Sequence, residues 1–211
     1  MRADEAQLLD VRAAARASYA RTLALAKDWA LPRAIRDALR AWRFDAAETL
    51  MADARTVLAQ RSAVEARAAR AGLDLPQKMK PLFEAGSMAE ASKEAAAELG
   101  AIEVIESASA QQATEPDLVA KVGLLGSTPE AQLAASRAAF KAGDLPGAIQ
   151  AASVASDGWN GAWQEGRRRL LFAVAVLATI VVILSAASGA RRRIRASRAP
   201  ADPRADEGAG A

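Results

Sequence analysis

The chain has 211 residues, 52% hydrophobic and about half of those Ala, with 4% aromatic residues, so it favours helices in close contact around a thin core. It contains neither Cys nor His, which excludes disulfides, Cys/His zinc sites, a His-based triad and a His general base. The net charge of +3 is uneven: residues 1–166 carry 19 Lys and Arg against 22 Asp and Glu and argue against a nucleic-acid partner, while residues 167–211 carry nine Arg against three acids.

In chain order, the first helix is predicted from Asp4 to Leu31, with Leu8, Val11, Ala15, Tyr19, Leu23, Ala26 and Ala30 at spacings of three and four. Pro32 suits the first turn of a second helix, whose apolar stripe is Ile35, Leu39 and Trp42. Asp45 and Glu48 fit an N-cap and its reciprocal partner, so a third helix is expected to start there. It runs through Leu50, Ala54, Val57, Leu58 and Val64 to Gly72, a good C-cap. Pro76 and Pro81 bracket a loop or short helix, and a further helix covers 89–107. Ser107 to Pro116 is polar without period and reads as a loop. A short helix over 117–125 is followed by interruptions at Gly123 and Gly126, and Thr128-Pro129-Glu130 starts another helix. The last helix of this region begins near Asp144, with Asp157-Gly158 the place for a break or kink before it runs on. No stretch alternates apolar and polar residues, so no strand is predicted.

Leu170 to Ala190 reads LLFAVAVLATIVVILSAASGA, without a charge. At about 1.5 Å per residue this stretch spans about 31 Å, the thickness of a hydrocarbon core. It predicts a single transmembrane helix anchored by Leu170, Phe172, Val176, Ile180, Ile183 and Leu184. Arg167, Arg168 and Arg169 precede it and Arg191, Arg192 and Arg193 follow it, placed to contact lipid phosphates. Trp163 is expected at the interface as an aromatic anchor, and Trp159 in packing against the preceding helix. Ser185 and Gly189 form a small-xxx-small pair. Residues from about 199 onward are Pro, Gly, Ala and charge, and are expected to be disordered. The domain reading is a helical-hairpin region over 1–166, a basic juxtamembrane segment over 167–169, a span over 170–190 and a basic tail over 191–211. The Arg excess after the span favours a C-terminus inside and an N-terminal region outside the cytoplasm. No apolar leader precedes the first helix, so this orientation implies a start internal to a longer gene product; a complete chain implies a tail-anchored cytoplasmic protein.

Three segments align with one another: LRAWRFDAAETLMADARTVL, FEAGSMAEASKEAAAELGAI and FKAGDLPGAIQAASVASDGW. A large residue (Leu39, Phe83, Phe140) is followed by a turn position (Trp42, Gly86, Gly143), then by Ala47, Ala91 or Ala148 and further small residues at helical spacing. The large residue ends one helix, Gly permits the turn, and the Ala stripe lets the second helix approach closely. Trp42, Ala47, Phe83, Ala91, Phe140, Gly143, Ala148 and Trp159 are therefore the predicted hairpin-packing residues. This pattern resembles tetratricopeptide-type helical hairpins, most clearly in FKAGDLPGAIQAASVA. The turns are spaced by about 44 and then 57 residues rather than a uniform 34, and the copies depart from the family at Trp42, where Gly is usual, and Glu98, where a small residue is. The resemblance and the composition together imply an all-α fold of irregular antiparallel helical hairpins followed by the single transmembrane helix. The C-terminal half, GLLGSTPEAQLAAS through the span to RRR, is similar to the membrane-proximal helical region of large bacterial surface proteins.

Candidate chemistry is sparse. Glu94 with Glu98 and Glu103 with Glu106, with Glu84 and Glu90 upstream, read as a solvated acidic helix face rather than a cation or acid/base site. No phosphate loop or zinc motif is present, Ser92-Lys93 reads as exposed, and neither catalytic residue nor cofactor is predicted. The expected function is a non-catalytic membrane-anchored helical stalk or protein-interaction module, the anchored end of a bacterial surface protein. Its partners are the lipid bilayer and a protein or peptide. The alternatives are a tail-anchored cytoplasmic adaptor with a peptide-binding helical groove, or the anchor end of a surface enzyme whose active site lies outside this chain.

Overall fold

The computed structural model describes the backbone of residues 3–196 and the side-chain surroundings of residues 7–184. Among the described residues there are helices and no strand: α1 (Ala3–Ala26), α2 (Arg33–Arg40), α3 (Phe44–Ala71), α4 (Met79–Ala85), α5 (Met88–Gln112), α6 (Leu118–Leu124), α7 (Pro129–Lys141) and α8 (Leu145–Ala196). They fall into two compact units, Met1–Glu115 with Gly126–Asn160, and Pro116–Leu125 with Gly161–Ala211.

In the first unit one turn geometry recurs three times. Trp42, Gly86 and Gly143 hold left-handed φ values of +59°, +86° and +77°. The N–H of each bonds to the carbonyl three residues back, on Leu39, Phe83 and Phe140, at 3.2, 2.9 and 2.8 Å. The next N–H reaches five back, from Arg43 to Ala38, Ser87 to Leu82 and Asp144 to Ala139, each at 2.9 Å. Two of the orphan carbonyls at each helix end are thus satisfied by the chain itself. The carbonyls of Arg43, Ser87 and Asp144 then accept the first bonds of α3, α5 and α8. Ala47, Met51, Ala54 and Leu58 stand at the same offsets as Ala91, Ala95, Glu98 and Ile102, and as Ala148, Ala152 and Ala155. None of these is more than 3% exposed, and Trp159, at the last offset, is half-buried against the core. The core is completed by Phe83 and Phe140, with the Trp29 ring 5.3 Å from Phe83. Ser136 donates to the Ala148 carbonyl at 2.7 Å across α7 and α8, so its buried hydroxyl is satisfied.

Several expectations are corrected. α1 ends at Ala26 rather than Leu31, because Lys27 turns to a φ of +53° and the Ala30 N–H donates to Glu84 instead of continuing the helix. The buried face of α1 is Ala15, Ser18, Thr22 and Ala26, while Leu8, Val11 and Leu23 are exposed. The small face lets α1 lie against α3, and Leu8 and Val11 sit one to two turns before its first buried residue. Asp45 does not cap α3: the N-cap is Arg43 without a side-chain bond, and Glu48 pairs with Arg55 at 2.8 Å. Ser107–Pro116 is helical as far as Gln112, because Ala108 is buried and the Ser109 hydroxyl bonds back to Ile105. Asp157-Gly158 does not break α8; Gly158 makes room for Pro129, whose Cβ lies 3.3 Å from where a Cβ would stand. Trp42 does not pack in a hairpin but is 57% exposed, because the left-handed turn carries its side chain off the core.

In the second unit α6 meets α8 at backbone distance. A Cβ on Gly123 would stand 1.7 Å from the Ala162 carbonyl oxygen, and one on Gly166 would stand 1.8 Å from that of Val119. Only paired glycines admit this contact. The Arg169 guanidinium then donates to the Val122 and Leu125 carbonyls, at 3.1 and 2.6 Å, closing the C-terminal end of α6.

Candidate functional site

A broad concave surface of the first unit lies between α5 and the start of α8. It encloses about 700 Å³ and is lined by Ala97, Gly100, Leu145, Pro146 and Ile149, with Lys78, Glu94, Gly143 and Gln150 as its polar positions. Its walls follow from local sequence. Ala97 and Gly100 leave the exposed face of α5 without bulk, while Pro146 and Ile149 supply apolar surface on the first turns of α8. Asp144 caps that helix by accepting the Gly147 N–H at 3.1 Å. Lys78 crosses the turn, its Nζ donating to the Gly143 carbonyl at 2.6 Å. A Cβ at Gly143 would stand 2.8 Å from Lys78 Cε, so a larger residue there would displace the lysine chain, while the φ of +77° is what calls for Gly.

The carboxylates beside this groove are not the solvated face expected. Glu98 is 1% exposed, and Oε1 of both Glu94 and Glu98 lacks a hydrogen-bond partner. Glu98 occupies the offset that Ala54 and Ala155 fill in the other two copies, so the repeat forces it inward. Burial, and then the neighbouring Glu94 charge, push its carboxyl up to about 7, against a smaller lowering by Lys78. Beneath it lies a smaller cavity of about 110 Å³ bounded by Trp29, Arg61, Met79 and Lys80 among others. Arg61 stacks 4.1 Å over the Trp29 ring, donates to Asp28 at 2.8 Å and to the Ala26 carbonyl at 3.1 Å, and pairs with Glu65. The Arg61 hydrogen bond holds the Asp28 carboxyl below its ordinary value. Glu103 and Glu106 face Arg67, at 3.8 and 2.9 Å. Among the described residues no group of three or more acids could hold a metal ion.

The other predicted residues lie as follows. Ala47, Phe83, Ala91, Phe140, Gly143 and Ala148 are buried in the first unit. Trp163 is about half exposed, with Arg167 5.8 Å over its ring. Arg168 and Arg169 both reach Glu165, at 4.0 and 3.0 Å, and Arg169 also holds the end of α6, a structural contact rather than a free cation. Leu170, Phe172, Val176, Ile180, Ile183 and Leu184 are exposed, between 41% and 73%. Among the described residues no helix is long and apolar enough to cross a membrane. The described side chains stop at Leu184, inside the apolar stretch that the sequence continues to Ala190. The Ser185–Gly189 pair, the side chains of Arg191, Arg192 and Arg193, and the tail from Ala199 lie outside the described residues.

Sequence reading did not find Lys78, Pro146 or Ile149 as groove residues, because the groove joins positions more than sixty residues apart. A signal for Glu98 existed in the repeat alignment, which places it on the Ala stripe. No protein-family model, curated protein or solved structure matches this chain.

Proposed function

We propose that this chain is a non-catalytic, membrane-anchored module of tetratricopeptide-type helix pairs, holding an apolar peptide segment of a partner in the groove between α5 and α8. The observation that carries the anchor is the Leu170–Leu184 surface. Apart from Thr179, whose hydroxyl donates to the Ala175 carbonyl, these side chains are apolar around the helix and exposed, and the uncharged sequence runs on to Ala190 behind three arginines. An exposed apolar surface of that extent needs a non-aqueous neighbour. The groove supports the interaction role, since its lining is mostly apolar with Lys78 and Glu94 at its polar edge, the composition of a peptide-helix seat. The absence of Cys and His from the sequence supports the non-catalytic reading.

Alkaline carbonate extraction of source membranes tests the anchor. The wild-type chain should stay in the pellet and a Leu177→Arg/Ile180→Arg variant should be released, each substitution costing about 3 kcal/mol at the centre of a span. Release of the wild-type chain sinks the reading. The chain has no Cys, so single cysteines at Ala20 and Ala211 report orientation with a membrane-impermeant maleimide. Labelling of the first and protection of the second supports the external module; the reverse identifies a tail-anchored cytoplasmic adaptor.

A further inference from the structure

We propose a second binding site on the first unit: the cavity between α1 and the α2–α3 turn takes an acidic peptide segment, with Arg12, Arg16 and Arg40 meeting its carboxylates and Trp42 stacking beneath it. The cavity encloses about 290 Å³ and is lined by these four residues with Leu39 and Phe44. Among the described residues none of these three arginines forms an ion pair, a state they share with Arg21, Arg36, Arg43, Arg70 and Arg137; what sets them apart is that they line one cavity. Three arginines around one cavity give it a positive charge that an anion would offset, and each guanidinium offers a carboxylate a forked pair of donors.

Trp42 is the independent observation. It holds a φ of +59° at a turn whose two counterparts are Gly86 and Gly143. A large side chain is disfavoured in that conformation, and here it does not serve the core, being 57% exposed. Instead the indole is framed by the Arg12 guanidinium at 5.1 Å and by the Phe44 ring, edge-on, at 5.7 Å. A backbone held against its preference to present an aromatic ring beside a cationic cluster belongs to recognition rather than packing. A peptide fits better than a bare phosphate because the site continues along the helix. Leu8, Arg12 and Arg16 form one i, i+4 row, and Leu8 at its end is an exposed apolar side chain. An amphipathic acidic segment matches both the charge and the strip.

The test uses the full-length chain in neutral detergent micelles and the fluorescein-labelled peptide Glu-Leu-Glu-Glu-Leu-Glu, followed by anisotropy. Saturable binding that weakens with added salt is expected. Trp42→Gly and the double variant Arg16→Ala/Arg40→Ala should each weaken it about tenfold or more. Gly is the residue of the equivalent turns, and Arg16 and Arg40 are exposed, so circular dichroism should be unchanged in both. The proposal is overturned by absence of binding to the wild-type chain, by equal affinity in either variant, or by equal binding of the Lys-Leu counterpart peptide. It is also overturned if phosphatidylglycerol doped into the micelles, and not the peptide, shows the arginine-dependent binding.

Discussion

Glu98→Gln replaces a buried carboxyl by a neutral group of nearly the same shape, and its effect should depend on pH. Burial and the Glu94 charge raise the Glu98 carboxyl from 4.5 to about 7. The folded chain therefore holds this proton more tightly than the unfolded chain. The advantage is complete below 4.5 and is lost as pH rises through about 7, a change of about 3 kcal/mol against the folded state. The charged groups around it are Glu94 on its own helix, Lys78 before α4, and Asp28, Arg61, Glu65 and Lys80 around the adjoining cavity. Asp28 and Glu48 are lowered by Arg61 and Arg55 respectively, so their stabilisation is lost only in more acid solution, below the 3.8 and 4.5 of ordinary carboxyls. Urea midpoints at pH 5, 6.5 and 8 thus isolate Glu98. The wild-type chain should lose stability across this range, and Glu98→Gln should flatten the profile, matching the wild type near pH 5 and exceeding it by up to about 3 kcal/mol at pH 8. A wild-type profile that rises toward pH 8, or a variant that retains the wild-type slope, would refute the buried placement of this carboxyl.

Three further outcomes follow from packing. Gly123→Ala or Gly166→Ala drives a Cβ into a facing carbonyl, so either should cost about 1–3 kcal/mol locally and speed amide exchange in α6. Ala148→Leu or Ala152→Leu overfills fully buried positions and should lower thermal stability by a similar amount, about 1–3 kcal/mol; an unchanged melting temperature counts against close helix contact there. Arg61→Lys keeps the charge but loses the planar stack on Trp29 and the fork shared between Asp28 and Glu65, so it should destabilise the first unit by about 2 kcal/mol in urea titrations.

The helix pairs were legible because their signal is local and repeated: a large residue, a turn and an Ala stripe at fixed offsets. The same register placed Glu98 on the buried stripe, but the nearby acids made a charged surface the competing interpretation, and position outweighed charge. Hydrophobicity misled on α1. In a thin core built on Ala, closeness of approach decides what is inside, so Ser18 and Thr22 are buried while Leu8 and Leu23 are not. Thr22 meets that burial by donating to the Ser18 carbonyl at 2.9 Å. Polarity misled at Ser107–Pro116, where a single buried residue, Ala108, and the packing of α5 on α7 sustain a helix that composition disfavours. The groove was not legible, since Lys78 and Gly143 come together only through tertiary structure.

The three closing turns make each helix pair a transferable cassette. Every closure is contained within six consecutive residues and leans on nothing outside them for its backbone bonds, so the chain between cassettes is free to change length. It has done so. The turns stand 44 and then 57 residues apart, and the longer interval holds Pro116–Leu125, the segment that belongs to the other compact unit. Growth of such a chain is expected between closures, where an insertion brings in a new helix, and not within them, where one added residue would break the bonds that turn the helix back.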